Sequence, residues 1–166
     1  MIVTATIKSL FTNVIFLSTI SSLFIAQVLK LVCSMWNRKP KKEDIDVIET
    51  ILWRTGGMPS SHSAVVCSLA ASAGIREGFA SNLFIISLIF AMITLRDALG
   101  VRRSAGIQAK TLNSLGKQAA QKIGIEFNTV KEIQGHTPLE VVVGSLLGIA
   151  IAIIFHLVLT VKYQFL

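Results

Sequence analysis

Charged residues are scarce in this sequence. Of its 166 residues only 15% are Asp, Glu, Lys or Arg, whereas 52% are hydrophobic and the mean hydropathy is +0.68. This length suits one domain, but such a composition excludes an ordinary water-soluble globular domain. The sequence therefore predicts an integral membrane protein.

Cysteine is also rare, and its placement excludes further kinds of site. The chain has two cysteines, Cys33 and Cys67, and both lie inside apolar segments. A cysteine in such a segment is typical of a small buried hydrophobe, so no disulfide, cysteine metal site or redox role is indicated. No internal repeat is evident, and we expect residues 1–166 to form a single membrane domain.

Four apolar segments account for most of the hydrophobic content. About 20 residues are needed to cross the hydrocarbon core of a bilayer, and the segments are residues 10–32, 59–75, 79–95 and 139–161. The second is rich in serine and alanine, which let membrane helices approach closely, so we expect it to be the central helix. We therefore predict an all-α bundle of about four transmembrane helices.

Shorter features complete the expected fold. Residues 41–53 carry isoleucine and leucine at near-helical spacing between acidic residues, which predicts a helix lying along the membrane interface. Residues 76–78 predict a tight turn that joins the second and third segments into a helical hairpin. The first segment lacks a convincing small-residue cleavage site, so we interpret it as a retained helix and not as a signal peptide.

The basic residues set the expected orientation. The net charge is +7, and the loop cations fall in two connections that lie on one side of the bundle: Arg38, Lys39, Lys41, Lys42 and Arg54 in one, and Arg102, Arg103, Lys110, Lys117, Lys122 and Lys131 in the other. The positive-inside rule makes this side cytoplasmic, in what we expect to be a bacterial cytoplasmic membrane. Such loops suit anionic lipid or a phosphorylated substrate, and we expect no nucleic-acid partner.

The segment GGMPSSHSA, residues 56–64, precedes the second apolar helix. Ser60 is its expected N-cap, which puts Ser61 and His62 in a first turn whose backbone N–H groups are unpaired. A phosphate can dock on such a turn, with His62 as a general acid. The alternative is a helix cap with a polar histidine at the membrane surface, where no catalysis is needed.

The segment GHTPLE, residues 135–140, precedes the last apolar helix. Thr137 and Glu140 have the spacing of a capping box, and Pro138 occupies the favoured first helical position. The functional interpretation makes His136 a nucleophile whose second ring nitrogen is held by Glu140. Both interpretations are compatible, because Glu140 has two carboxylate oxygens. A metal site is less well supported, since thiolate or further carboxylate ligands are missing.

Several charged residues surround these two segments at the same predicted face. Arg102 and Arg103 suit bidentate phosphate binding, although each alone is equally typical of positive-inside anchoring. Asp97 is expected to orient an arginine. Lys30, at the end of the first helix, is either a phosphate ligand pointing inward or a lysine that snorkels to the interface. His156, near the far end of the last helix, is expected to be structural.

Four sequence blocks together resemble the divergent PAP2 family. They are residues 27–30, GGMPSSHSA, DALGVRRSAGIQAKTLN (97–113) and GHTPLEVVVGSLLG (135–148), so the resemblance covers nearly the whole chain. This family is in turn similar to the type 2 phosphatidic acid phosphatases of the acid phosphatase–haloperoxidase superfamily. The resemblance implies a PAP2-like helical core.

The phosphatase motifs carry over in part. Lys30 with Arg38 loosely resembles the lysine and arginine motif. Residues 59–62 resemble the Pro-Ser-Gly-His motif with serine at position 61, and His136 with Glu140 resembles the His-x-x-x-Asp motif. The arginine that the family has six residues before the nucleophile is Val130 here. Lys131, Arg102 or Arg103 would have to replace it.

The resemblance implies metal-independent hydrolysis of a lipid phosphate or pyrophosphate without a cofactor. His136 would attack phosphorus, His62 would protonate the leaving oxygen, and water would cleave the phosphohistidine. Glu140 would orient His136, and the phosphate would be bound by Lys30, Ser60, Ser61, Arg102, Arg103 and Asp97. The alternatives are a non-catalytic phospholipid-binding or lipid transport protein and a small scaffold whose basic loop recruits a partner. A homodimer is compatible with so thin a bundle.

The predicted orientation can be tested with reporter fusions. Alkaline phosphatase fused after Leu166 is expected to be active, and green fluorescent protein fused at the same point is expected to be dark. Fusions after Gln121, in the basic connection, are expected to show the reverse. Fluorescence from the Leu166 fusion would place the basic connections outside the cell.

Overall fold

The computed structural model describes residues 9–36, 57–130 and 137–164, and its regular elements there are all helices. In chain order these are α1 (Val14–Trp36), α2 (Ser61–Glu77), α3 (Asn82–Leu99), α4 (Val101–Ile123) and α5 (Pro138–Gln164). The all-α fold is confirmed. The interfacial helix predicted at residues 41–53 lies outside the described residues.

The helices form a bundle around α2. This helix packs against α1, α3 and α5, α1 also packs against α5, and α4 packs mainly against α3. Within residues 9–36, 57–130 and 137–164, three stretches are long and apolar enough to cross a membrane, one in α1, one running from α3 into α4 and one in α5. The fourth bundle helix, α2, has 17 residues and is the central helix that its serine and alanine content predicts.

Small residues bring α2 and α5 into backbone contact. Gly144 faces the backbone of Ser60, and Gly148 faces the backbone of Ala64, so closely that a Cβ atom on either glycine would collide with it. These glycines are four residues apart on α5 and face positions four apart on α2. This is the spacing at which small residues allow close packing of membrane helices.

The centre of the bundle consists of small side chains, and many of them are polar. The largest fully buried side chains of the described part are serines, namely Ser18, Ser22, Ser60, Ser63, Ser68 and Ser72. Toward one end, the hydroxyls of Ser18 and Ser72 are 3.1 Å apart, and Ser72 Oγ lies 3.0 Å from His156 Nε2. His156 therefore links α5 to α2 and, through Ser72, to α1, in keeping with the structural role expected for it.

The hairpin between α2 and α3 turns where its sequence predicts. Gly78 ends α2 with φ +92°, a conformation that favours glycine, and its N–H donates to the carbonyl of Gly74. Ser81 then caps α3 by accepting from the N–H of Phe84. The rings of Phe79 and Phe84 stack edge to face over this turn, with centroids 5.1 Å apart.

The chain after Gly100 is polar and lies outside the four apolar segments. It forms the long helix α4. Val101, Ala105, Leu112 and Ala119 recur at helical spacing along it, a period that is easily overlooked among the polar residues of this region. After Gly124 the chain folds back, and the side chain of Asn113 both donates to Val130 O and accepts from Val130 N at 2.9 Å. Residues 124–130 are thereby fastened to α4.

The contact between α2 and α5 predicts a position-specific loss of stability. Gly148→Val is expected to lower the free energy of unfolding in detergent by about 1–3 kcal/mol, because the new side chain would meet rigid backbone at Ala64. Ala150→Val, two residues along the same helix at an exposed position, is the matched control. Equal stability of the two variants would contradict the close approach.

Candidate functional site

The helices α2 and α5 begin side by side at the same end of the bundle. The N–H of Ser60, just before α2, donates to the carbonyl of Glu140 in the first turn of α5 at 3.0 Å. The backbone contact at Gly144 lies one turn further along α5. The two polar segments predicted to converge are therefore joined directly through the backbone.

Ser60 caps α2, as predicted. Its hydroxyl accepts from the N–H of Ser63 at 3.4 Å and from the Ser63 hydroxyl at 2.9 Å, and both side chains are fully buried or nearly so. Ser60 was also predicted to bind phosphate. In the structure its side chain is engaged in capping. A phosphate at this helix start would therefore have to bind other groups of the first turn.

Lys30 of α1 points into the bundle and not toward the interface. Only 4% of the residue is exposed, and its Nζ donates to Ser61 Oγ at 3.3 Å. Gly57 lies along the lysine stem, where a Cβ would be 3.5 Å from Lys30 Cγ. The snorkelling alternative is therefore wrong. A buried ammonium needs polar partners, and here one is a hydroxyl in the first turn of α2.

Other predicted site residues lie around this end. His62 is exposed in the first turn of α2, and Asp97 is half-buried in the last turn of α3. Arg103 is exposed in the first turn of α4, on a helix that packs mainly against α3 rather than around Lys30. The side chain of Arg102 and all of His136 lie outside the described part of the structure.

Glu140 and Thr137 form the predicted capping box. The N–H of Thr137 donates to Glu140 Oε2 at 3.2 Å, and the N–H of Glu140 donates to Thr137 Oγ1 at 3.4 Å. This reciprocal pair satisfies two backbone N–H groups at the start of α5. The structural role of Glu140 is confirmed.

Sequence reasoning missed the residues that bring the two segments together. Gly144 and Gly148 form a Gly-x-x-x-Gly pattern inside the last apolar segment, and this signal was present in the sequence. Ser63, which bonds the capping hydroxyl, carries no comparable signal. Among the described residues, no group of three or more His, Cys, Asp or Glu is arranged to hold a metal ion.

Comparison with known proteins agrees with these motifs. The family model of the divergent PAP2 family matches residues 11–151, a range that contains every predicted site residue. The chain belongs to the divergent PAP2 family. A relative from Bacillus subtilis (strain 168), named as the uncharacterized membrane protein YuiD, is 37% identical over 158 aligned residues, covering 87% of this chain and 95% of the relative. No solved structure matches.

Membership of this divergent PAP2 family supports the membrane assignment from a second direction. The relative is named as a membrane protein, and the described part of the present chain has three stretches of sufficient length and hydropathy to cross a bilayer. Both findings support membrane localisation of this chain.

The capping box predicts different losses of stability for substitutions of Thr137 and Glu140. Thr137→Ala is expected to lower the free energy of unfolding by about 1 kcal/mol, because α5 loses its N-cap hydroxyl. Glu140→Gln is expected to leave stability nearly unchanged, since glutamine also completes a capping box. Thr111→Ala, at an exposed position inside α4, is the matched control. Denaturant unfolding measures the stability of the three variants. A loss in Thr137→Ala no larger than that in Thr111→Ala would contradict the capping role of Thr137.

Proposed function

We propose that this protein is a membrane-embedded phosphatase that hydrolyses a lipid phosphate or pyrophosphate without a metal ion. The observation that carries the proposal is the buried Lys30 ammonium beside Ser61, at a helix start that is joined to Glu140 of α5. A cation held inside a membrane bundle is rarely retained for packing alone.

The start of α2 supplies most of the features of a phosphate site. Helix N-termini offer unpaired N–H groups and the positive end of the helix dipole. Lys30 adds a full positive charge there, and its hydrogen bond to Ser61 directs that charge toward the first turn. A phosphate on this turn would contact His62, which is exposed in the same turn.

The proposed chemistry has two steps. A ring nitrogen of His136 attacks phosphorus and forms a P–N bond, while the P–O bond to the lipid breaks and His62 gives its proton to the departing oxygen. Water then attacks phosphorus, the P–N bond breaks, and inorganic phosphate leaves. His62, now neutral, accepts a proton from that water, so the enzyme returns to its starting state.

We assign to Glu140 the role of orienting His136. Glu140 Oε2 accepts from the Thr137 N–H, and we assign to the same carboxylate a further hydrogen bond from the imidazole N–H. Guanidinium or ammonium groups would stabilise the charge that builds on the equatorial oxygens, and Arg102, Arg103 and Lys131 are the candidates. Asp97 would orient one of the arginines.

A lipid substrate follows from the position of the site. Lys30 and Ser61 lie where apolar helices end, so a phosphate bound there would have its tail beside the bundle. We assign this face to the cytoplasmic side, because the basic connections adjoin it.

One observation favours a second candidate function, non-catalytic binding or transport of an anionic lipid. The position at which the phosphatases carry an arginine is Val130, and both polar groups of its backbone are bonded to Asn113 of α4. This position thus serves to fasten the segment to α4 and offers no charge to a transition state.

The proposal is tested by phosphate release from phosphatidic acid and prenyl phosphates, using purified protein in detergent with a chelator present. Wild type is expected to release phosphate. His136→Ala is expected to abolish turnover, and His62→Ala to lower kcat by roughly 10²- to 10⁴-fold, the usual contribution of a general acid.

The third histidine provides the matched control. His156→Gln retains a group able to bond Ser72 and lies away from the proposed site, so its turnover is expected to be close to wild type. Glu140→Gln should lose activity while remaining folded. Folded wild-type protein that releases no phosphate from any of these substrates would favour the binding function instead.

A further inference from the structure

An apolar cleft opens along one side of the bundle between α2, α3 and α5. Its volume is about 470 Å³, and every lining side chain is apolar or a thiol. Small residues of α2, among them Cys67, Ala70 and Ala71, form its floor, whereas Leu88 of α3 and Ile153 of α5 belong to its walls. The cleft exists because α3 packs against α2 but only slightly against α5.

The cleft is closed at the end away from the candidate site. There the Phe79 and Phe84 rings stack edge to face beside Gly74, so tightly that a Cβ on this glycine would collide with both rings. No such pair closes the other end within the described residues, where Cys67 and Leu95 line the cleft. The cleft therefore has a definite length.

The open end leads toward the basic face. Leu95 is followed by Arg96 and Asp97 in the last turn of α3, and Cys67 lies one turn after Ser63 on α2. From Leu95 to Phe84 is eleven residues of helix, or about 16 Å at 1.5 Å per residue. A molecule filling the cleft from this end would have its polar group among the residues of the candidate site.

We propose that the cleft binds one hydrocarbon chain of an anionic lipid whose phosphate lies at the start of α2. The identity of the head group rests on the proposed function, whereas the chain is assigned from the cleft itself. Its volume falls within the range of about 300–1,000 Å³ found for small-molecule pockets.

Charge explains why the occupant is an anionic lipid and not any lipid of the surrounding bilayer. The buried Lys30 lies beyond the open end, beside the first turn of α2, while the closed end has only apolar contacts to offer. The head group supplies selectivity, and burial of the chain supplies affinity, at about 0.8 kcal/mol per methylene. The closed end makes chain length a determinant of binding.

The experiment is photo-crosslinking in phosphatidylcholine vesicles with two probes that carry a diazirine near the end of one palmitoyl chain. One probe is phosphatidic acid and the other phosphatidylcholine with the same chains. Adducts mapped by peptide mass spectrometry are expected at the closed end, around Phe79, Phe84 and Leu88, and to be several-fold more abundant with phosphatidic acid.

Matched variants separate the cleft from the rest of the lipid-facing surface. Ala71→Phe fills the cleft and is expected to reduce closed-end adducts about tenfold, as loss of two or more buried methylenes would. Ala150→Phe makes the same change at an exposed position of α5 outside the cleft and should have no effect. If Ala71→Phe fails to fold, Met92→Trp narrows the cleft from its exposed rim and serves in its place.

The outcomes are distinguishable from those of the phosphatase assay. Equal labelling by the two probes, or labelling that neither cleft variant reduces, would overturn the proposed tail site even if the protein releases phosphate. Selective closed-end labelling by phosphatidic acid in a protein that releases no phosphate would support the tail site and overturn the hydrolysis. A dioctanoyl probe of the same design should label the closed end several-fold less.

Discussion

The backbone contact between α2 and α5 is the constraint on which the rest of the structure depends. With Gly144 and Gly148 against Ser60 and Ala64, no side chain separates the two helices, and their N-termini lie together. The Ser60 N–H then reaches the Glu140 carbonyl. Two helix starts at the same end of the bundle add their partial positive charges there, which a single helix start does not achieve.

The polar interior follows from the same close packing. Inside a bilayer, burial of apolar side chains does not drive helices together, so contact area and hydrogen bonds between helices must do so. Serine satisfies both needs, being small enough for close approach and able to bond across helices. The Ser18–Ser72–His156 contacts hold α1, α2 and α5 together toward one end, and Lys30 with Ser61 holds α1 to α2 at the other.

Much of this arrangement was predictable from sequence because it is local. The caps at Ser60 and Thr137 and the turn at Gly78 each depend on a few adjacent residues, and the structure confirms them. The inward direction of Lys30 was not predictable, since snorkelling and burial share one sequence pattern. Nor was the cleft, because its shape depends on how far α3 diverges from α5, which no short pattern specifies.

The two hydrogen bonds between Asn113 and Val130 also limit how the chain can reach α5. They fasten the chain to the middle of α4, so that only six residues, 131–136, connect this attachment to Thr137. Seven residue steps, fully extended, cover at most about 25 Å. The attachment point at Asn113, in the middle of α4, is therefore held within about that radius of the start of α5. Without these bonds the connection would begin at Gly124, and the permitted radius would be nearly twice as large.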